Sequence, residues 1–370
     1  MAAVYLAIVL DREDQKADVP ARTFNKSRIT QYTLRMFKVF RDAAGPRLAP
    51  GGSVLAIGAF DGLHRGHAAL LARVRERSAA SGLIPAVISF EPLPRAYFSG
   101  EPLPRLSSLR EKLCGLRDAG IQLLLLLRFR AALADMGAEE FVRKIIVQRM
   151  NAREVWVGAD FRFGHRRAGD VALLQMLGAR LGFEAHVLEP IQGAEGERVS
   201  ATRIRGLLAA GDFAHAARLL GRPFSIGGRI VHGNRMGRRL GYPTANIRLR
   251  GRVPPVRGIF AVRAHGPGAR PWPGVASLGV RPMFDGREPL LETHLFEFDG
   301  DLYGRRIEVE FVAKLRDEGK FADLDALKTQ MDRDAAQARE VLDRHSRKGG
   351  NPATLPSRRT KALDSGGRSR

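Results

Sequence analysis

The sequence predicts an N-terminal α/β unit, built on a parallel sheet with helices on both faces, followed by an antiparallel β unit that ends in one helix. Three observations carry this prediction. Short apolar runs alternate with helical stretches as far as residue 220. Beyond that point the segments become short and are punctuated by Gly, Pro and Asp-Gly, and a long charged segment with helical spacing closes the series. A length of 370 residues also exceeds what one hydrophobic core usually organises, which agrees with two domains.

Residues 1–35 show little periodicity and read as an extension, with Met36 as an alternative start. The apolar run SVLAIGAF (53–60) suits a buried parallel strand, and AALLARVRERSAA (68–80) continues as a helix. The alternation repeats in IPAVISF (84–90), LSSLREKLCGLRDAG (106–120), IQLLLLLRF (121–129), GAEEFVRKIIVQRM (137–150) and AREVWVGADF (152–161). VALLQMLGARLG (171–182) and FEAHVLEPI (183–191) complete it, and RIRGLLAAG (203–211) is helical. After LLGRPFSIGG the segments RIVHG, IFAVRAH, PGVASLG, LLETHLFEF and RRIEVEFVAKL read as strands of a barrel or sandwich. The segment 323–345 has i,i+4 charge pairs and a partly apolar face, as a helix needs. The change of period near Gly221 divides the chain into domains 36–220 and 221–344, with a disordered basic tail over 345–370.

Lys and Arg outnumber Asp and Glu by 61 to 39, a formal charge of +22, which admits nucleic acid as a partner. About a third of the excess sits in the tail, with eight Lys/Arg against one Asp from Arg344 onward, and the internal arginines do not interleave with aromatics as a base-stacking surface requires. The charge therefore narrows the ligands to anions. A single cysteine, Cys114, excludes an internal disulfide, fits a reducing cytoplasm and reads as a core residue. No apolar run approaches the roughly 20 residues of a membrane span, and the N-terminal VYLAIVL lacks the basic flank of a signal peptide.

The first chemical constellation is GAFDGLHRGHAALL, Gly58 to Leu71. It ends a strand and begins a helix, where parallel sheets place their ligands. Gly58 allows close approach to the backbone, while His64 and His67 add imidazoles to the amides of a helix start. The arrangement suits polyphosphate, with a metal pair or two incidental histidines as the alternatives. This stretch resembles the H-x-G-H signature of the nucleotidyltransferase superfamily, in the variant carried by bifunctional riboflavin kinase/FMN adenylyltransferases. Two later segments are similar to that family's other nucleotide motifs, VGADFRFGHRRAGD from Val157 and VSATRIRGLL from Val199, with Ala201 where the family has a serine. The resemblance implies a Rossmann-like domain in which His64 and His67 act on the phosphates. Gly58, Phe60, Asp61, Gly66, Asp160, Ser200, Thr202 and Arg205 would then surround ATP.

The second constellation is GGRIVHGNRMGRRLGYPTANI, Gly227 to Ile247. Its glycines and arginines could lay backbone amides along phosphates, although a glycine-rich hairpin has the same spacing. Thr244 and Asn246 alternate on an extended segment, so their hard oxygens share a side and suit Mg²⁺. GYPTAN and the stretch from Leu290 resemble the riboflavin kinase domain of the same family. The resemblance implies a β-barrel, Glu292 as the base on the ribityl hydroxyl, and ATP and flavin held by Gly233, Gly237, Arg238, Gly241 and Pro243. Glu292 also reads as a strand glutamate paired with Arg306. Ser277 and Met283 depart from the family's Asn and Thr. The expected activity is conversion of riboflavin to FMN and of FMN to FAD with MgATP, on small molecules and without nucleic acid or membrane. A single-activity nucleotidyltransferase and a basic nucleic-acid-binding protein are the competing readings.

Overall fold

The computed structural model describes residues 37–100, 102–233, 237, 240–249, 251–266, 270–283 and 286–347. The extension expected at 1–35, Arg238, the side chain of Met283 and residues 348–370 lie outside this description. Packing groups the chain into two compact units. The first takes the described residues up to Phe60, then His67–Glu101 and Leu113–Pro190; the second takes Asp61–Gly66, Pro102–Lys112 and the described residues from Ile191 onward.

The first unit holds a six-stranded sheet of β1 (Lys38–Phe40), β2 (Ser53–Ile57), β3 (Ile84–Glu91), β4 (Leu123–Arg128), β5 (Ala152–Gly158) and β6 (Glu184–Leu188). Every pairing is parallel, in the order β1-β4-β3-β2-β5-β6. All five residues of β2 are buried, as are Leu123 to Leu127 of β4, so both faces of the sheet are covered. The connections carry α1 (Arg65–Ser81), α2 (Pro94–Ser99), α3 (Leu109–Asp118), α4 (Ala131–Ala134), α5 (Ala138–Phe141) and α6 (Val171–Leu181). α5 continues as a π-helical stretch, Val142–Arg149, where an ordinary helix is expected from the sequence. β1 is also absent from the sequence reading, since three half-exposed residues carry no periodic signal. β3 and β4 follow β2 on one side, whereas β5 and β6 lie on its other side. The strand order therefore reverses between β2 and β5, and the crevice beyond their carboxyl ends is where such sheets bind ligands.

In the second unit, α7 (Ala201–Ala209) and α8 (Phe213–Leu220) precede a closed antiparallel barrel. Its strands are β7 (Ser225–Val231), β8 (Ala245–Arg248), β9 (Gly258–His265), β10 (Trp272–Met283), β11 (Gly286–Leu295) and β12 (Arg306–Arg316), closing in the order β10-β11-β8-β7-β12-β9. The final helix α9 spans Leu324–Arg347.

Two boundaries fall elsewhere than the sequence suggests. Phe213 of α8 stacks against Phe311 and meets Phe260 edge-on, while Ile204, Leu219 and Leu220 join the same barrel core. Their burial, worth about 1.5–3 kcal/mol per large apolar side chain, groups residues 191–220 with the barrel rather than with the parallel sheet. At the other end α9 runs past residue 344, and Arg263 bonds Ser346 Oγ (3.1 Å) and His345 Nδ1 (3.3 Å).

Candidate active sites

In the parallel-sheet unit the carboxyl ends of β2 and β5 carry Gly58 and Asp160. The Gly58 amide bonds the Ile88 carbonyl at 3.1 Å, and a Cβ on Gly58 would come within 3.1 Å of the Phe60 ring. Phe60 is fully buried in a left-handed backbone conformation (φ 49°), which side chains other than glycine seldom adopt. Its ring lies against the His67 imidazole with centroids 5.0 Å apart. His67 stands in the first turn of α1, half-buried, and Asp160 is exposed just beyond β5. Phe161 and Phe163 stack behind it, centroids 5.4 Å apart.

The intervening residues Asp61–Gly66 pack within the second unit, and there Asp61 is committed to the protein. Its carboxylate is 1% exposed and accepts from the amides of Leu106 (3.1 Å) and Ser107 (3.0 Å), from Ser107 Oγ (3.2 Å) and from Arg205 Nη2 (2.6 Å). Arg205 also donates from Nε to the Pro104 carbonyl at 2.6 Å. Both residues thus hold the loop rather than stand open to solvent. Arg222 donates to the Gly62 carbonyl at 3.0 Å, and burial pushes its guanidinium below the usual range.

His64 is buried beside this network. Loss of solvation lowers its imidazole to about 4, with Arg205, Arg198 and Arg222 acting in the same direction against Asp61. It is therefore neutral near pH 7. Gly66 makes room for it, since a Cβ there would lie 3.2 Å from the imidazole. Ser200 caps α7 by accepting from the Arg203 amide at 3.2 Å, and Thr202 is exposed on its first turn. Ala201, beside them, packs its methyl against the barrel core, which accounts for a position that has no hydroxyl.

A cavity of about 300 Å³ opens on the outer wall of the barrel beneath α9. Thr244, Asn246, Ser277 and Glu292 line it together with Gly237, Tyr242, His294 and Asp334. Strand register explains the grouping: Glu292 of β11 pairs with Asn246 of β8 on one side and with Ser277 of β10 on the other. Leu291 belongs to the barrel core while Glu292 and His294 face the cavity, the alternation a strand imposes. Asn246 is 4% exposed; its Nδ2 donates to the Thr244 carbonyl at 3.1 Å, and its Oδ1 is buried with no hydrogen-bond partner. An orphaned amide oxygen beside a threonine and a glutamate forms a hard donor set that fits Mg²⁺.

The segment that presents these donors is pinned at both ends. Gly233 must lack a side chain, because a Cβ would sit 2.6 Å from Asn246 Nδ2. His294 Nδ1 donates to the Pro243 carbonyl at 2.9 Å, and Tyr242 hydrogen-bonds Asp332 of α9. Burial, reinforced by that bond, pushes the Tyr242 phenol up to about 12. Gly237 lines the cavity and Gly241 takes a turn conformation at φ 86°; Pro243 is exposed.

Sequence reasoning missed Tyr242, His294, Arg222 and the 104–107 loop. Tyr242 and His294 lie inside the GYPTAN and Leu290 segments already singled out, and the 104–107 loop runs into an S-x-x-E capping box in which Ser108 and Glu111 bond reciprocally at 2.6 and 3.2 Å.

Comparison with known proteins agrees in both halves. An FAD synthetase family model matches residues 47–203, and a riboflavin kinase model matches residues 220–342. A bifunctional riboflavin kinase/FMN adenylyltransferase of Pseudomonas fluorescens is 45% identical over 291 residues, covering 78% of this chain and 93% of that protein. Its counterpart in Escherichia coli K12 is 44% identical over 292 residues, covering 79% and 93%. A Streptococcus pneumoniae crystal structure described as a macrolide-efflux protein has 29% identity and a TM-score of 0.67, covering 82% of this chain and 99% of that one. No helix among the described residues is long and apolar enough to cross a membrane.

Proposed function

The chain belongs to the bifunctional riboflavin kinase/FMN adenylyltransferase family, and from that premise we infer which residues carry each step. The enzyme phosphorylates riboflavin with ATP to FMN and ADP, then transfers an adenylyl group from a second ATP to FMN, giving FAD and pyrophosphate. We assign the first step to residues 221–344 and the second to residues 36–220.

In the kinase step Glu292 accepts the proton of the ribityl hydroxyl as that oxygen attacks the γ-phosphorus. Thr244 and Asn246 would hold Mg²⁺, which would supply charge neutralisation for the phosphates of ATP. The glycine segment around Gly233, Gly237 and Gly241, with Arg238 and Pro243, lies along ATP and flavin. In the adenylyl step an FMN phosphate oxygen attacks the α-phosphorus and pyrophosphate leaves. His67 donates to the transferring phosphates, and His64, being neutral, serves as a hydrogen-bond donor rather than a fixed cation. Gly58, Asp160, Ser200 and Thr202 complete the ATP-binding set, while Phe60, Asp61, Gly66 and Arg205 position the histidines. The enzyme works on small molecules in the cytoplasm, without nucleic acid or membrane.

The observation that carries this assignment is the Asn246–Glu292–Ser277 row opening on one cavity, with Asn246 Oδ1 left for a cation. The test is to incubate the purified chain with riboflavin, ATP and Mg²⁺ and resolve the flavins by chromatography. FMN followed by FAD is expected; FAD from supplied FMN without any FMN from riboflavin would reject the barrel assignment.

A further inference from the structure

Beyond Asp160 the parallel-sheet unit makes a closed loop, Phe163–Gly169, that neither assignment uses. Its ends bond each other both ways, the Phe163 amide to the Gly169 carbonyl at 3.0 Å and the Gly169 amide to the Phe163 carbonyl at 2.9 Å. One flank is fixed to the segment that joins α4 and α5. The His165 amide donates to the Met136 carbonyl at 2.8 Å, His165 Nδ1 donates to the Ala134 carbonyl at 3.2 Å, and a Cβ on Gly164 would lie 2.6 Å from Ala138 Cα. At the tip, Arg166 and Arg167 both take left-handed backbone conformations, φ 51° and 59°.

Consecutive positions of that kind favour Asn or Gly, because a Cβ strains the left-handed conformation. Arginine stands there against the backbone preference, and no internal contact of its side chain offsets the strain. Both arginines are exposed, and among the described residues none shares a hydrogen bond or ion pair with either guanidinium. Arg162 in the same segment differs, being paired with Asp170 at 2.9 Å. The amides of Arg167 and Ala168 are engaged by the carbonyls of Gly164 (3.0 Å) and His165 (3.1 Å), so the side chains are what the tip offers a ligand. Strained residues of this sort cluster at ligand clamps. The loop also follows β5, whose carboxyl end borders the crevice where the strand order reverses. Two adjacent guanidinium forks match two linked phosphates better than a single one.

We propose that Arg166 and Arg167 clamp the β- and γ-phosphates of the adenylyl-donating ATP and hold the pyrophosphate as it leaves, a role that rests on placing adenylyl transfer in the parallel-sheet unit. As the FMN oxygen bonds the α-phosphorus, the α–β bridging oxygen departs with its electron pair, and the two cations meet that charge without moving a proton. The test compares the full chain with Arg166→Gly/Arg167→Gly, which the backbone favours, and with Arg166→Asn/Arg167→Asn as a second pair. Inorganic pyrophosphate is titrated calorimetrically, and FAD formation from supplied FMN is followed at varied ATP, FMN and pyrophosphate. Both double variants should keep Tm and form FMN from riboflavin at the unsubstituted rate, yet bind pyrophosphate roughly 10- to 100-fold more weakly. KM for ATP and the inhibition constant of pyrophosphate should rise by a similar factor while KM for FMN stays constant. Equal pyrophosphate affinity in all three chains, or a rise in KM confined to FMN, overturns the clamp. Failure of the unsubstituted chain to make FAD overturns the adenylyl assignment instead, and the calorimetric comparison still decides the clamp.

Discussion

Asp61 shows a buried carboxylate fully engaged with the protein around it. A carboxylate that accepts four bonds and is 1% exposed has little capacity left for a ligand. Asp61→Ala should strand Arg205 as an uncompensated charge and cost about 3–5 kcal/mol, read from the urea midpoint. A loss below about 1 kcal/mol would mean that the pair contributes no more than a surface contact. His64 makes a pH-dependent prediction. Its folded-state value near 4 lies below the ordinary 6.5, so between those limits the unfolded chain binds more protons. Stability is therefore unaffected by this group above pH 6.5, falls as pH drops from 6.5 toward 4, and levels off below. The total is roughly 3 kcal/mol at about 1.4 kcal/mol per unit. His64→Gln should flatten that acid limb in thermal melts, and an unchanged limb would contradict the burial argument.

At the level of elements, two glycines set the position of reactive side chains from behind. A Cβ on Gly233 would press on Asn246, and one on Gly58 would press on the Phe60 ring beneath His67. Displacements of about 1 Å cost on the order of 10²-fold in rate. Gly233→Ala should therefore slow FMN formation at least 10-fold and spare conversion of supplied FMN; Gly58→Ala should do the reverse, both read by flavin chromatography. The parallel strands were legible because burial on both faces writes a continuous apolar run, as in Leu123 to Leu127. The barrel strands were legible from their turns, but choosing barrel over sandwich needed the long-range pairing of β12 with both β7 and β9, which no local pattern encodes. α8 carried a readable signal, Asp212 as cap and Phe213, Ala216, Leu219 and Leu220 along one face, yet its destination in the barrel core depends on tertiary packing. Of the candidate site, Thr244 and Asn246 stood out in the sequence because alternation puts such donors on one face, whereas Glu292 stood out only through the resemblance of its segment to the riboflavin kinase domain. The engagement of Asp61 with Leu106 and Ser107 was not legible, since those partners lie more than forty positions away.

Over the whole molecule, the chain is divided by packing and by chemistry along different lines. The loop Asp61–Gly66 and the start of α7 pack with the barrel, although both fall within the FAD synthetase match at residues 47–203. Glu111 shows one consequence within that unit, accepting from the Gly227 amide of β7 (2.9 Å) and from Arg252 (3.0 Å). At the carboxyl end, removing residues beyond Arg347 should leave Tm and both activities unchanged. Removal from His345 onward should lower stability by about 1 kcal/mol, because Arg263 loses Ser346. Equal Tm for the two truncations would show that the last turn of α9 contributes nothing.

The central claim is that two chemically separate sites act in sequence on one flavin. The most direct measurement compares Glu292→Gln and His67→Ala, each confirmed folded by its melting transition, with riboflavin and with FMN as the supplied substrate. Glu292→Gln should make no FMN yet convert supplied FMN to FAD, whereas His67→Ala should accumulate FMN and stop there. Loss of both activities in each folded variant would contradict two independent sites.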